Sequence, residues 1–432
     1  MRPFAAAFLA AACVCAAPPA GSSHSSWADS ASAPPELAQQ WRAVKRAAEP
    51  PRAPPLAAAP RAAARQLVKS GLHAPVASVQ GLISRVLGPQ YVQSFSLNVI
   101  PAAADGNDVF ELAAGPGGSV VVSGSSGYAL AAGLNWYLKY TANCSVSWGR
   151  DGSGNNVALP APGALVPPAA TRMESAVRWR YAYNVCTYGY TMPFWSWSQF
   201  EAELDRLAMW GVNLPLAFQG QEATEDRVYR ALGLNETEIN DYLSGPAFLP
   251  WQRMGNMQKW GGPLTADWNA RQKALQVQMV TRMREFGMTP VLAGFGGHVP
   301  AALETHFPNS NFTHSSDWCG FEPQYGSDTL LEPTDALFAT LGAAMNKATL
   351  EDFGDPTGLE SPVFNADMYN EMCVWKMIII FCSSRVASTA TLMRIPFFVD
   401  ARSFFHTPPH AGSPTMPTSA TSPRATPPCT PP

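Results

Sequence analysis

Charge is scarce in this sequence. Lys, Arg, Asp and Glu make up 14 % of its 432 residues and balance to a net charge of −3. A basic footprint for nucleic acid or an anionic membrane surface is missing, so neither is an expected partner. Cysteine is sparse as well. Cys13 and Cys15 fall in an apolar leader, and Cys144, Cys186, Cys319, Cys373, Cys382 and Cys429 are scattered, with no CxxC and no His spacing beside them. That pattern makes neither a disulfide scaffold nor a zinc centre, and no metal is expected. A phosphate loop is absent too, because Gly115, Gly117 and Gly118 mark a turn with no helix following at the required distance. No apolar run is long enough to span a bilayer; residues 377–381 form only a short, uncharged, aggregation-type window.

Aromatic residues are plentiful by contrast, with 13 Trp, 12 Tyr and 21 Phe. Flat, rigid, amphipathic rings suit the C–H faces of sugars, although Trp serves equally well in a core. Residues 1–17 read as a signal peptide, with Arg2, an apolar stretch and small residues near Ala16 and Ala17. Sequons at Asn143, Asn235 and Asn311 fit glycosylation on a secretory route, ending in a lysosome, a vacuole or outside the cell. Residues 18–75 are an Ala/Pro-rich linker or pro-segment, and 151–175 a second linker.

Between the linkers, residues 76–150 pattern as a small α/β domain. A helix is expected over 78–87, a strand over 94–100, a hairpin from 109–113 and 119–123, and a helix over 127–140. Residues 176–372 then repeat a strand–helix rhythm. Strands are expected over 177–185, 212–218, 289–295 and 363–371, parallel and adjacent in that order. Helices are expected over 198–210, capped by Ser198 with Glu201 completing a capping box, and over 221–232, 265–286 and 333–353. A lid-like insertion of about thirty residues follows the second helix. The fold class is therefore α/β: a small N-terminal α/β domain, then about four β/α units of a partial (β/α)8 TIM-like barrel. A doubly wound sheet fits the rhythm also, but usually carries a Gly-rich turn after its first strand. Residues 373–432 hold one acidic residue, Asp400, and end in a Ser/Thr/Pro-rich tail that packs no core.

The strand ends gather polar and aromatic groups with no basic cluster: Asn184, Cys186 and Tyr188; Phe218, Gln219, Gln221 and Glu222; His298; Asn370 and Glu371. A neutral polar ligand fits that set better than a phosphate. Period two along the fourth strand puts Asn365, Asp367, Tyr369 and Glu371 on one face. A carboxylate at a barrel strand's carboxyl end can donate a proton to a leaving oxygen, and equally can cap the next helix. Trp318, in the loop after the third strand, fits a sugar platform or a packing anchor. His298 in its glycine turn fits a substrate contact or a structural tie. Glu222 opens a helix, where a carboxylate favours the dipole whatever else it does.

Residues 76–372 resemble the lysosomal α-N-acetylglucosaminidases of glycoside hydrolase family 89. The blocks that carry the resemblance include Arg180-Tyr181-Ala182-Tyr183-Asn184-Val185-Cys186-Thr187, Gly220-Gln221-Glu222-Ala223, Arg253-Met254-Gly255-Asn256, Gly297-His298-Val299-Pro300 and Asn370-Glu371-Met372. The resemblance implies exo-hydrolysis of terminal α-linked N-acetylglucosamine, as in heparan sulfate, with retention of configuration. It implies no cofactor, and a glycan ending in N-acetylglucosamine as partner; a homo-oligomer is compatible with it. Glu371 becomes the acid/base, with Asn184, Cys186, Trp318 and Asn370 in the sugar pocket. Phe218 stands where animal members carry Trp. The resemblance is expected to stop at Met372, and no Glu follows it. Without a second carboxylate the chain is expected to be inactive, leaving a sugar-binding remnant or a product without function as the alternatives.

Overall fold

The computed structural model describes residues 74–147, 155–315, 317–358 and 360–366. The expected leader, the linker over 18–75 up to residue 73 and the tail over 373–432 lie outside the described residues, as do Asn370 and Glu371.

The N-terminal unit is a four-stranded mixed sheet in the order β1-β3-β2-β4, formed by β1 (Phe95–Val99), β2 (Val109–Ala114), β3 (Val120–Gly124) and β4 (Thr171–Glu174). Helices α1 (Ala74–Val86) and α2 (Gly127–Tyr140) pack on it. Strands β2 and β3 are the expected antiparallel hairpin, and β1 runs parallel to β3. The Ser126 hydroxyl caps α2 by accepting from Ala129 N at 3.1 Å. Part of the stretch expected to be a linker, 151–175, instead supplies β4. That strand pairs antiparallel with β2, and Arg172 bridges Glu111 and Glu174 on its exposed face.

The second unit begins with four short parallel strands: β5 (Tyr181–Ala182), β6 (Leu214–Pro215), β7 (Val291–Ala293) and β11 (Val363–Asn365). β5 pairs with β6, a Leu216–Val291 bridge joins β6 to β7, and β7 pairs with β11, all parallel. This is the expected order of four β/α units. Outside them lie α3 (Trp197–Met209), α4 (Gln221–Ala231), α5 (Ala266–Glu285) and α6 (Ala336–Phe353). The cap of α3 differs from expectation. Ser196 stands at the N-cap, and its backbone N–H donates to Gln199 Oε1 at 2.7 Å, so Gln199 closes the box rather than Glu201. Thr265 and Asp335 cap α5 and α6 through their side-chain oxygens. A small antiparallel sheet, β8 (His298–Val299), β10 (Thr329–Leu331) and β9 (Phe312–His314), rises from the loop after β7.

The two units share one apolar core. It runs from Leu82, Phe110 and Leu134 to Phe200, Leu216 and Val291. Their seam is polar and paired. Arg180, 5 % exposed, donates from Nη2 to Asp108 Oδ2 at 2.6 Å, and Tyr128 donates to the other Asp108 oxygen at 2.9 Å. Asn213 closes the network by accepting from Arg180 N at 2.8 Å. Gly127 has no room for a side chain, because a Cβ there would press into the Phe286 carbonyl. A second cluster, around Tyr229, Tyr242, Leu249, Leu303 and Leu341, anchors the insertion between α4 and α5.

Candidate active site

The rim of the site starts where β5 ends. Asn184 is exposed, and its Oδ1 accepts from Thr187 N at 3.0 Å and Thr187 Oγ1 at 2.8 Å. It thereby fixes the helical turn Thr187–Tyr190, which Cys186 opens. The Cys186 sulfur is buried 4.0 Å from Met254 Sδ. Gly189 in that turn lies against Pro250 and Trp251 so closely that a Cβ would overlap both. The turn after the first strand and the Leu249–Arg253 turn of the insertion are thus seated on each other. Trp251 lies at the join, 5.6 Å from the Tyr190 ring and 6.3 Å from Trp318. Trp318 in turn stacks on Phe321 at 5.8 Å and 9°.

Through these contacts the structure links Asn184, Cys186 and Trp318 into one rim. Phe218 is not on its surface. It is 4 % exposed and packed in the core, so its ring offers no face for a sugar, while the partly exposed Trp251 does. Sequence reasoning passed over Trp251 and Tyr190. Only the run of aromatics in the insertion, Phe248, Trp251 and Trp260, hinted at them.

Beneath the rim is a buried charge cluster. Arg253 Nε donates to Glu222 Oε1 at 2.7 Å, with side chains 2 % and 1 % exposed. Glu225, one turn along α4, accepts from Gln221 Nε2 at 3.0 Å, while its Oε2 is buried without a hydrogen bond. Burial, together with the Glu222 charge and against the pull of Arg253, pushes Glu225 up to about 8. Gln221, Glu225 and Arg253 line a cavity of about 50 Å³ with Tyr229, Tyr242, Gly294 and Phe295. It has room for about three to four waters. Glu222 is therefore a structural partner of Arg253, sealed from any sugar on the rim. His298 is structural by the same reasoning. It is 6 % exposed, a Cβ on Gly255 would overlap its ring, and burial pushes the imidazole down to about 4.

The fourth strand contributes Asn365, 6 % exposed, whose Nδ2 donates to Tyr181 Oη on the first strand at 3.4 Å. Among the described residues no group of His, Cys, Asp and Glu could hold a metal ion.

The rim of this α/β barrel-type unit thus brings together an amide, a thiol and two neighbouring indoles. Residues 77–167 match the model of the alpha-N-acetylglucosaminidase N-terminal domain, and residues 180–390 that of its tim-barrel domain. This chain belongs to the α-N-acetylglucosaminidase family. The barrel match runs to residue 390, past Met372, where the resemblance was expected to stop. A human alpha-N-acetylglucosaminidase is 42 % identical over 298 residues, which are 68 % of this chain and 39 % of the relative. The chain thus spans about two-fifths of that relative's length. A family 89 glycoside hydrolase from Clostridium perfringens, solved with 2-acetamido-1,2-dideoxynojirimycin, is 32 % identical with a TM-score of 0.63. That similarity covers 68 % of this chain and 34 % of the other. The same family's Clostridium perfringens protein with two Glu→Gln substitutions, solved with its substrate GlcNAc-alpha-1,4-galactose, is 31 % identical. It has a TM-score of 0.60 and is covered to 33 %, with 73 % of this chain.

Proposed function

We propose that this chain carries the sugar-recognising and proton-donating half of an exo-acting, retaining α-N-acetylglucosaminidase. Its substrate is a glycan ending in α-linked N-acetylglucosamine. One observation carries the reading beyond family membership. Asn365 reaches across the strands to Tyr181, and period two in the sequence puts Glu371, which lies outside the described residues, on the face expected for Asn365. Glu371 is the general acid that protonates the glycosidic oxygen and then the base that activates water. Asn184, Cys186 and Asn370 hold the sugar's polar groups, and Trp318 and Trp251 its apolar face. The reaction needs a second carboxylate about 5–5.5 Å from the first to attack the anomeric carbon. No Glu follows Glu371 in this sequence.

The test is hydrolysis of p-nitrophenyl α-N-acetylglucosaminide. This chain is compared with a chimera in which the human relative's sequence continues its barrel. The chimera is expected to release p-nitrophenol and to form the α-anomer first, and Glu371→Gln to reduce its kcat by at least about 100-fold. The chain alone is expected to release none. A chimera indifferent to Glu371→Gln would remove Glu371 from the mechanism. The alternative, a non-catalytic sugar binder, gains support if the chain binds the sugar and the chimera stays inactive.

The proposed compartment is the secretory route, leading to a lysosome, a vacuole or the outside. Asn143, Asn235 and Asn311 are all exposed, as glycan acceptors must be. No helix among the described residues is long and apolar enough to cross a membrane.

A further inference from the structure

Among the described residues, four that are not glycine have a left-handed backbone: Asn143, Tyr183, Lys259 and Cys319. Only Tyr183, at φ 75, directly continues a barrel strand, between Ala182 at the end of β5 and the rim residue Asn184. Asparagine tolerates that region. A bulky aromatic is costly there and persists only where its surroundings hold it, as they do at ligand sites.

The hold comes from helix α3. The Tyr183 hydroxyl donates to Glu203 Oε1, and Glu203 is 4 % exposed. The other Glu203 oxygen pairs with Arg206, one turn further along, whose guanidinium lies 5.3 Å from the centre of the Trp210 ring. The paired carboxylate offers the phenol a charge-assisted acceptor, about twice as strong as a neutral one. The Tyr183 ring also meets Tyr188 edge to face, at 6.2 Å and 73°. Tyr188 is itself fixed, because its buried hydroxyl donates to the Leu216 carbonyl, just past β6, at 2.6 Å. Tyr183 is therefore tied at two points, to the helix outside the barrel and to the turn Thr187–Tyr190.

A positive φ turns the chain sharply, so the next residue takes a direction that an extended strand does not give it. That residue is Asn184, and Cys186 follows it before the turn closes. We infer that Tyr183, clamped by Glu203, is a positioning residue for sugar recognition: its left-handed backbone sets Asn184 and Cys186 at the rim. Released from Glu203, Tyr183 relaxes to a negative φ, and the two recognition groups lose their preorganised arrangement. The inference rests on the functional reading above for the claim that Asn184 and Cys186 hold the sugar's polar groups.

The test uses the full chain with Tyr183→Phe, Tyr183→Gly and Tyr183→Ala, each titrated calorimetrically with 2-acetamido-1,2-dideoxynojirimycin. Affinities are measured where circular dichroism shows the variant folded, so lost stability does not enter them. Tyr183→Phe is expected to weaken binding about tenfold, towards the low end of what one released left-handed residue allows. Glycine takes φ 75 freely and alanine does not, so Tyr183→Gly is expected to bind about threefold or more tightly than Tyr183→Ala. A packing role would not favour the smaller residue, and a direct contact between the phenol ring and the sugar would make the two losses equal. The second readout needs no sugar. Cys186 is buried against Met254, and its alkylation by iodoacetamide, mapped on its peptide, is expected to run at least about tenfold faster in Tyr183→Phe. The inference is overturned if Tyr183→Phe binds as the wild type does, if the glycine and alanine variants bind alike, or if Cys186 reacts no faster. A wild-type chain that binds no iminosugar, with Cys186 released by alanine more than by glycine, would uphold the clamp on the turn and sink the sugar-site reading instead.

Discussion

Arg253→Met is expected to lower the unfolding free energy by about 3–5 kcal/mol, the usual penalty for breaking a buried ion pair from one side. The cation lies between two carboxylates. It is bonded to Glu222 at 2.7 Å with both side chains almost fully enclosed, and its charge opposes the rise of Glu225. Removing it leaves the Glu222 carboxylate buried without its cation, beside the protonated Glu225. The damage is also expected to reach the rim, because Arg253 ends the turn that carries Trp251 and precedes Met254, the neighbour of Cys186. The compensating variant Arg253→Met with Glu222→Leu and Glu225→Gln is expected to recover most of the loss, since it leaves no charge behind. Urea unfolding followed by tryptophan fluorescence measures both. A loss below about 1 kcal/mol for Arg253→Met would show the pair to be dispensable.

The second large effect is on pH. Burial pushes Glu225 up to about 8 and Asp328, fully enclosed, up to about 7. Each therefore holds a proton in the folded chain that the unfolded chain releases near its ordinary value. Such groups stabilise at low pH, and their contribution fades as pH rises through the folded value. His298 has the opposite sign. Pushed down to about 4, it stabilises above its ordinary 6.5 and loses that contribution as pH falls towards 4. Between about 4.5 and 6.5 the histidine offsets one acid; between 6.5 and 7 both acids act unopposed; above 8 the effect is spent. Stability is expected to fall from pH 5 to pH 8, most steeply near pH 7, by up to about 1.4 kcal/mol per pH unit for each unopposed proton. Glu225→Gln and Asp328→Asn are each expected to flatten the slope. Unfolding free energies that rise steadily over that range would reverse the assignment.

Much of the architecture was legible because it follows from local pattern. The apolar runs around Leu216, Val291 and Phe364 have the length and flanks of buried strands, and strands alternating with long helices leave few options but a parallel sheet. The hairpin of β2 and β3 follows from alternation and a glycine turn. What failed was decided by tertiary contact. The stretch Thr171–Glu174 fell in the linker expected over 151–175, yet backbone pairing with β2 makes it a strand whose Met173 is buried. Two serines, Ser196 and Ser198, stand at the start of α3, and Gln199 chose Ser196. Of the candidate site, the sequence showed position and not contact: Asn184 and Trp318 were singled out because they follow strand ends, and the structure brings them to one rim. Trp251 lies inside an insertion, where no periodicity says which way a ring faces. Arg253 and Glu222 are 31 residues apart, and only the folded chain shows that one consumes the other. Phe218 follows a strand end as Asn184 does, but it is packed in the core.

The central claim is that the carboxyl ends of these four strands already form a site for N-acetylglucosamine. Titration calorimetry of the full chain with 2-acetamido-1,2-dideoxynojirimycin, for the wild type and Trp318→Ala, tests it most directly. The account predicts saturable binding at one site, weakened about tenfold or more by the substitution, with the urea midpoint of the two proteins alike. A folded chain that shows no saturable heat, or a Trp318→Ala variant with undiminished affinity, would contradict it.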